Sequence, residues 1–158
     1  MARYFEKISF KQFKEDISDN KELYNDYKLP KRATKRSAGY DFYSLEDFTL
    51  KPNEIKKIPT GIKVNMHDDE MLMLIVRSSQ GFKYNVRMTN QVGIIDSDYY
   101  NNSNNEGHMF IKLQNHSENG YIVKKGEAIC QGIFAKYLTA DNEEEILKER
   151  TGGLGSTN

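Results

Sequence analysis

Two aspartates one residue apart close a short apolar run in "GIIDSDYYN", residues 93 to 101, and two tyrosines follow at once. Alternate side chains of an extended chain share a face, so Asp96 and Asp98 would point one way and Ser97 the other. A carboxylate at a strand end can aim a water, and a ring beside it can pack a ligand. Three further stretches carry residues able to handle an anion, and a fourth adds a carboxylate. Arg77, Ser78 and Ser79 in "RSS" offer one guanidinium and two hydroxyls for a phosphate oxygen. Gln131 in "GEAICQ" lies within an apolar run, where its amide must find a partner. "RTGGLGST", residues 150 to 157, sets Arg150, Ser156 and Thr157 among three glycines, and its backbone amides could wrap an anion. "AGYDFYS" holds Asp41. Taken singly these have plain structural explanations: a turn, a cross-strand bond, a frayed tail. Their succession along one chain gives them weight.

Composition removes several classes. Basic and acidic residues balance, 23 against 23, so no general footprint for nucleic acid or an anionic membrane exists and any anion site is local. Cys130 is the single cysteine, expected as a buried free thiol; no disulfide can form within the chain. The N-terminal segment has no signal-peptide run and no stretch could span a bilayer, so a cytoplasmic location is expected. A P-loop, HExxH and CxxC are missing, and "DSDYYNNSNNEG" fails as a calcium loop at its fifth, sixth and twelfth positions. His108 and His116 read as surface or hairpin residues and not as metal ligands.

The elements that must position these residues are mostly strands. Residues 3–10 alternate as a first strand, and 9–17 read as a short outer helix with Ser9 and Gln12 at capping-box spacing and Phe10, Phe13 and Ile17 on one face. Residues 18–37 read as a polar, basic connector. From Ala38 onward short β-prone runs alternate with turn signals, which predicts an antiparallel sandwich, jelly roll or small barrel. The expected organisation is one domain over 1–149, with residues 9–28 a helical insertion and connector and 150–158 a flexible C-terminal arm.

In their order these segments resemble the five motifs of the trimeric dUTP pyrophosphatases (dUTPases). "AGYDFYS" looks like A-G-x-D-L-x-[SA], "VRSS" like P-R-S-[SG], and "GIIDSDYYN" like G-[VIL]-I-D-x-D-Y-x-G. "GEAICQ" is similar to G-[ED]-x-[IL]-x-Q, and "GGLGST" to G-G-F-G-S-T. The asparagine-rich insertion resembles a subgroup of Gram-positive bacteria and their phages. The resemblance implies a mainly β, dUTPase-like antiparallel β-barrel or jelly roll and a homotrimer with shared active sites. The activity implied is Mg2+-assisted hydrolysis of dUTP to dUMP and pyrophosphate, which keeps uracil out of DNA and supplies dUMP.

By the same resemblance Asp96 activates the attacking water, Tyr99 packs under the deoxyribose, and Asn90 reads the uracil edge with the backbone of Gly93, Ile94 and Ile95. Arg77, Ser78, Ser79 and Gln131 would contact phosphate. Arg150, Ser156 and Thr157 would close over the triphosphate, with Leu154 covering the base where the family has phenylalanine. Asp41 would meet the Mg2+ through water, the ion otherwise being held by the triphosphate. Asp98 is expected to tie down the hairpin by a backbone bond. Alternatives are a dCTP deaminase of the same fold and a nucleotide-gated regulatory module that presents its N-terminal helix and asparagine-rich loop to a protein partner.

Overall fold

The computed structural model describes residues 2–157. Its strands in chain order are β1 (Tyr4–Lys7), β2 (Lys31–Arg32), β3 (Tyr40–Tyr43), β4 (Phe48–Leu50), β5 (Ile55–Pro59), β6 (Ile62–Asn65), β7 (Glu70–Ile75), β8 (Val86–Met88), β9 (Gly93–Asp96), β10 (Phe110–Asn115), β11 (Tyr121–Val123) and β12 (Ala128–Lys136). Three short helices, α1 (Phe10–Asp16), α2 (Lys21–Asp26) and α3 (Ser78–Phe82), interrupt them. The largest sheet runs β2-β3-β12-β7-β9; a second runs β5-β10-β8, and β1 pairs with β6 and β4 with β11. Every pairing is antiparallel. The architecture is mainly β and jelly-roll-like; among the described residues the strands form separate sheets and close no single barrel.

β7 shows how sequence builds the scaffold. In "EMLMLI" every second residue, Glu70, Leu72 and Leu74, is buried, while Met71, Met73 and Ile75 are only partly covered. That period of two fixes one face to the core. Phe42, Leu50, Leu113, Ile129 and Cys130 complete the buried cluster. The Cys130 thiol is fully buried as expected, and burial pushes its pKa up, so it is no nucleophile. Glu70 is tolerated inside because the Arg3 guanidinium binds its carboxylate, holding its pKa at about 2.

The N-terminal region departs from expectation in three ways. A second helix, α2, occupies part of the expected connector, capped by Asn20, whose side chain accepts from the Leu23 amide. It presents Tyr27 to stack on the fully buried Phe13 (centroids 5.7 Å apart). Ser9 does cap α1, accepting from the Gln12 amide at 3.1 Å, but the Gln12 side chain turns to Asp16. Glu106, far along the chain, takes the other half of the expected capping box by accepting from the Ser9 amide and hydroxyl. His108 is not a surface residue: it is fully buried.

Candidate active site

β9 lies beside β7 in antiparallel register, Gly93 opposite Leu74 and Asp96 opposite Met71. The chain then tightens into a single 3-10 turn, Ser97–Tyr99, so the two aspartates share a face through a turn and not an extended strand. Arg150 joins them: its Nη2 donates to Asp96 Oδ2 at 2.5 Å and its Nε to Asp98 Oδ1 at 2.7 Å. Asp98 thus acts through its side chain toward the arm, not through the backbone bond expected of it.

Ile94, Ile95, Asp96, Tyr99, Met109, Phe110, Arg150, Gly153 and Leu154 line one cleft of about 110 Å³. An adjoining cleft of about 340 Å³ carries Asn90, Gly93, Ile94, Ile95 and Leu154. The residues expected to hold a nucleoside therefore stand together. Leu154 is 90% exposed at the rim of both clefts. Gly153 lies against the Tyr99 ring so closely that a Cβ there would fall 2.7 Å from the ring edge.

Tyr99 itself is held on several sides. Its hydroxyl donates to the His108 carbonyl and accepts from Asn105 Nδ2, each at 2.8 Å. Asn102 Nδ2 donates to the Tyr99 carbonyl, and Asn102 Oδ1 accepts from the amides of Asn104 and Asn105. Burial raises the phenol's pKa, against a smaller lowering by the Asn105 bond, so it stays neutral. The asparagine-rich stretch is a clasp of side-chain-to-backbone bonds round this tyrosine, which is what closely spaced asparagines do well. Asn102, Asn105 and His108 were not singled out from sequence. The density of asparagine directly after "DSDYY" was the available signal.

The phosphate-gripping candidates form a second cleft of about 320 Å³, lined by Ser37, Gly39, Asp41, Arg77, Ser78, Ser79 and Gln131. β7 stops at Ile75, and Ser78 and Ser79 open α3. Gln80, buried at the start of α3, accepts from the Arg77 amide at 2.7 Å and donates to the Ile129 carbonyl at 2.8 Å, fixing Arg77 against β12. The Arg77 Nε to Asp41 Oδ1 distance is 3.0 Å. Gln131 donates to the Val76 carbonyl at 3.3 Å and fills the space beside Gly39, where a Cβ would lie 2.0 Å from its Oε1. The glutamine of "GEAICQ" thus packs directly on the glycine of "AGYD".

Asp96 and Arg77 lie toward opposite ends of β7, while the Asn90 and Gly93 side of the first pair of clefts reaches Leu74. Asp96 faces Met71, whereas Arg77 follows six residues later, which at about 3.3 Å per residue separates them by roughly 20 Å along the strand. Ser156 and Thr157 line neither cleft: the Ser156 amide donates to the Gly153 carbonyl and the Thr157 carbonyl accepts from Lys148.

Among the described residues the cluster best placed to hold a metal is His67, Asp69 and Glu70. Both its carboxylates already serve cations, Asp69 pairing with Lys136 at 2.6 Å and Glu70 with Arg3. Asp41 would suit a water-clad ion better, since Arg77 Nε lies 3.0 Å from one carboxylate oxygen and Ser37, Ser78 and Ser79 line the same cleft.

An amide, a carboxylate and a fixed phenol round one cleft, with a guanidinium and two hydroxyls round another, define a nucleotide-handling β domain. A family model described as dUTPase matches residues 25–158. A deoxyuridine 5'-triphosphate nucleotidohydrolase of Lactococcus lactis is 48% identical over 130 residues, covering 82% of this chain and 87% of that protein. One from Nautilia profundicola is 34% identical over 141 residues, 87% and 95% of the two chains. The crystal structure of a Streptococcus mutans dUTPase superposes with a TM-score of 0.70 at 37% identity, covering 87% of this chain and 98% of that one. A mutant dUTPase of Staphylococcus aureus phage phi11, which coordinates a structural Mg(II) ion, shares the fold at a TM-score of 0.67 and 17% identity over 94% and 98% of the chains. The chain belongs to the dUTPase family.

Proposed function

We propose that this chain hydrolyses dUTP to dUMP and pyrophosphate, with Asp96 holding the water that attacks the α-phosphorus. The observation that carries this is the gathering of Asn90, Gly93, Ile94, Ile95, Asp96 and Tyr99 within one short stretch round two adjoining clefts, with Asp96 closing β9. Attack needs the water within hydrogen-bond reach of the carboxylate and in line with the leaving pyrophosphate. Asn90 and the backbone of Gly93, Ile94 and Ile95 read the uracil edge. A ring methyl would clash there, and an amino group in place of the carbonyl would leave a buried donor unpaired. Tyr99 packs under the deoxyribose and leaves no room for a 2′-hydroxyl.

Arg77, Ser78, Ser79 and Gln131 grip the phosphates. Arg150, Leu154, Ser156 and Thr157 belong to the arm, residues 150–158, which closes over the nucleotide bound to the domain of residues 1–149. Arg150 shields the Asp96 and Asp98 carboxylates until it turns to the triphosphate. Bound Mg2+ would supply charge neutralisation at the phosphate oxygens, and Asp41 would meet it through water.

Carboxylate and grip must act on one contiguous triphosphate, yet they lie roughly 20 Å apart along β7 in a single chain. We therefore take the site to be shared between copies in a homotrimer, one copy supplying Asp96 and Tyr99 and another Arg77. No helix among the described residues is long and apolar enough to cross a membrane, in keeping with action on the cytoplasmic nucleotide pool. The N-terminal helix and asparagine-rich loop, expected as surfaces for a regulatory partner, bind each other through Ser9 and Glu106 and enclose Tyr99, so a regulatory role gains no support here.

The test is pyrophosphate release from dUTP, dTTP, dCTP and UTP with Mg2+. Release from dUTP far above the other three is expected. Ammonia from dCTP, or no preference for dUTP, would overturn the reading.

A further inference from the structure

Steric rejection of a 2′-hydroxyl is only as strong as the stiffness of the group that rejects it, because a ring free to rotate gives way. A selecting side chain must be locked by its own supports to within about half an ångström. The supports of Tyr99 lead out of the cleft to an unexpected place. The last residue of α1, Asp16, takes a 2.6 Å bond at Oδ2 from His108 Nδ1, and Gln12 Nε2 donates to the same oxygen at 2.9 Å. The other ring nitrogen, His108 Nε2, accepts from the Gly61 amide at 2.9 Å. The imidazole is therefore neutral with its proton on Nδ1, and burial lowers its pKa. Its ring also packs on Phe110, centroids 4.2 Å apart. An imidazole clamped at both nitrogens immobilises its own backbone, and that carbonyl is the acceptor of the Tyr99 hydroxyl.

We propose that Asp16 and His108 are positioning residues for sugar selection: through the His108 carbonyl they hold Tyr99 rigid, so helix α1 takes part in telling deoxyribose from ribose. This rests on the placement of Tyr99 under the sugar set out above. Glu106, bonded to the N-cap of α1 and to Lys63, keeps the helix docked but lies off the path from Asp16 to Tyr99. Phe10, partly buried against Phe13 and Tyr24, contributes packing and no bond to the path.

The experiment compares kcat/KM for dUTP and UTP in the wild type and in Asp16→Ala, Asp16→Asn, Tyr99→Phe and Phe10→Ala, with Tm recorded for each. Asp16→Ala is expected to erode the dUTP preference about tenfold, the size of one lost hydrogen bond. Asp16→Asn keeps an oxygen acceptor for His108 and should restore the wild-type ratio. Tyr99→Phe keeps the ring and removes only the tethered hydroxyl, and should erode the preference as Asp16→Ala does. Phe10→Ala should lower Tm and leave the ratio alone. An unchanged ratio in Asp16→Ala, or an equal change in Phe10→Ala, overturns the proposal. If Asp16→Ala does not fold, an unchanged ratio in Tyr99→Phe overturns it. A wild-type chain inert toward dUTP would instead overturn the functional reading, and shows before any variant is made.

Discussion

The clefts along β9 and the cleft round Arg77 are built differently. On the hairpin side, Tyr99 is buried and bonded through its hydroxyl and carbonyl to His108, Asn105 and Asn102. On the grip side, Arg77 is 40% exposed along its side chain, with Asp41 as its side-chain partner. The first region is organised before any ligand arrives; the second is a set of charges and hydroxyls that a phosphate would order. Shape selection needs rigid walls, whereas a highly charged triphosphate is held well by mobile donors and a hydrated cation. In the proposed reading, recognition of base and sugar falls on β9 and its flanking turns, and charge handling beyond the end of β7 on α3 and β12.

Four changes would break or sharpen this contrast. The largest effect is expected from Asp96→Asn: kcat for dUTP should fall about 10³-fold, in the range for removing a general base, with dUTP binding by calorimetry retained. Normal turnover would show that the water is aimed by another group. Next, Arg77→Ala should lower kcat/KM about 10²-fold while affinity for dUMP, which lacks the outer phosphates, moves much less. Equal losses for dUTP and dUMP would mean the two clefts are not divided as described.

A smaller gain is expected from Leu154→Phe. Base stacking on an aromatic ring contributes about 1–3 kcal/mol, so dUTP should bind several-fold tighter, read as a lower Kd. No change would show that residue 154 does not reach the base.

The smallest effect concerns stability. Because His108 is buried neutral, its folded pKa lies below the ordinary value, and the unfolded chain takes up the proton first. Its contribution is complete above about pH 6.5 and is lost as pH falls toward the lowered folded pKa. Tm should therefore drop between pH 7.5 and 5, less so in His108→Gln. Equal pH slopes in the two proteins would contradict the neutral imidazole.

Much of this was legible in the sequence. The alternation in "EMLMLI" and the turn residues between short β-prone runs predicted an antiparallel β architecture because both are local signals. The polar residues proposed to act in each cleft were legible mostly as motif members, whereas Met109, Phe110 and Ser37 in their linings were not. What escaped depends on contacts between distant segments. Ser9 and Gln12 had the spacing of a capping box, yet Glu106 completes it from nearly a hundred residues away. His108 looked like a hairpin residue, since nothing local reveals that Gly61 and Asp16 converge on its ring. Helix α2 was hidden in a polar connector, because Tyr24 and Tyr27 gain their value only against Phe13.

The most direct test is subunit mixing. Asp96→Asn and Arg77→Ala chains, each nearly inactive, are refolded together at equal amounts and assayed for pyrophosphate from dUTP. Sites built from two copies of the chain should regain about a quarter of wild-type activity, the fraction that draws its carboxylate from one variant and its guanidinium from the other. A mixture that forms mixed oligomers yet stays as inactive as its parents would mean that both groups must come from the same chain.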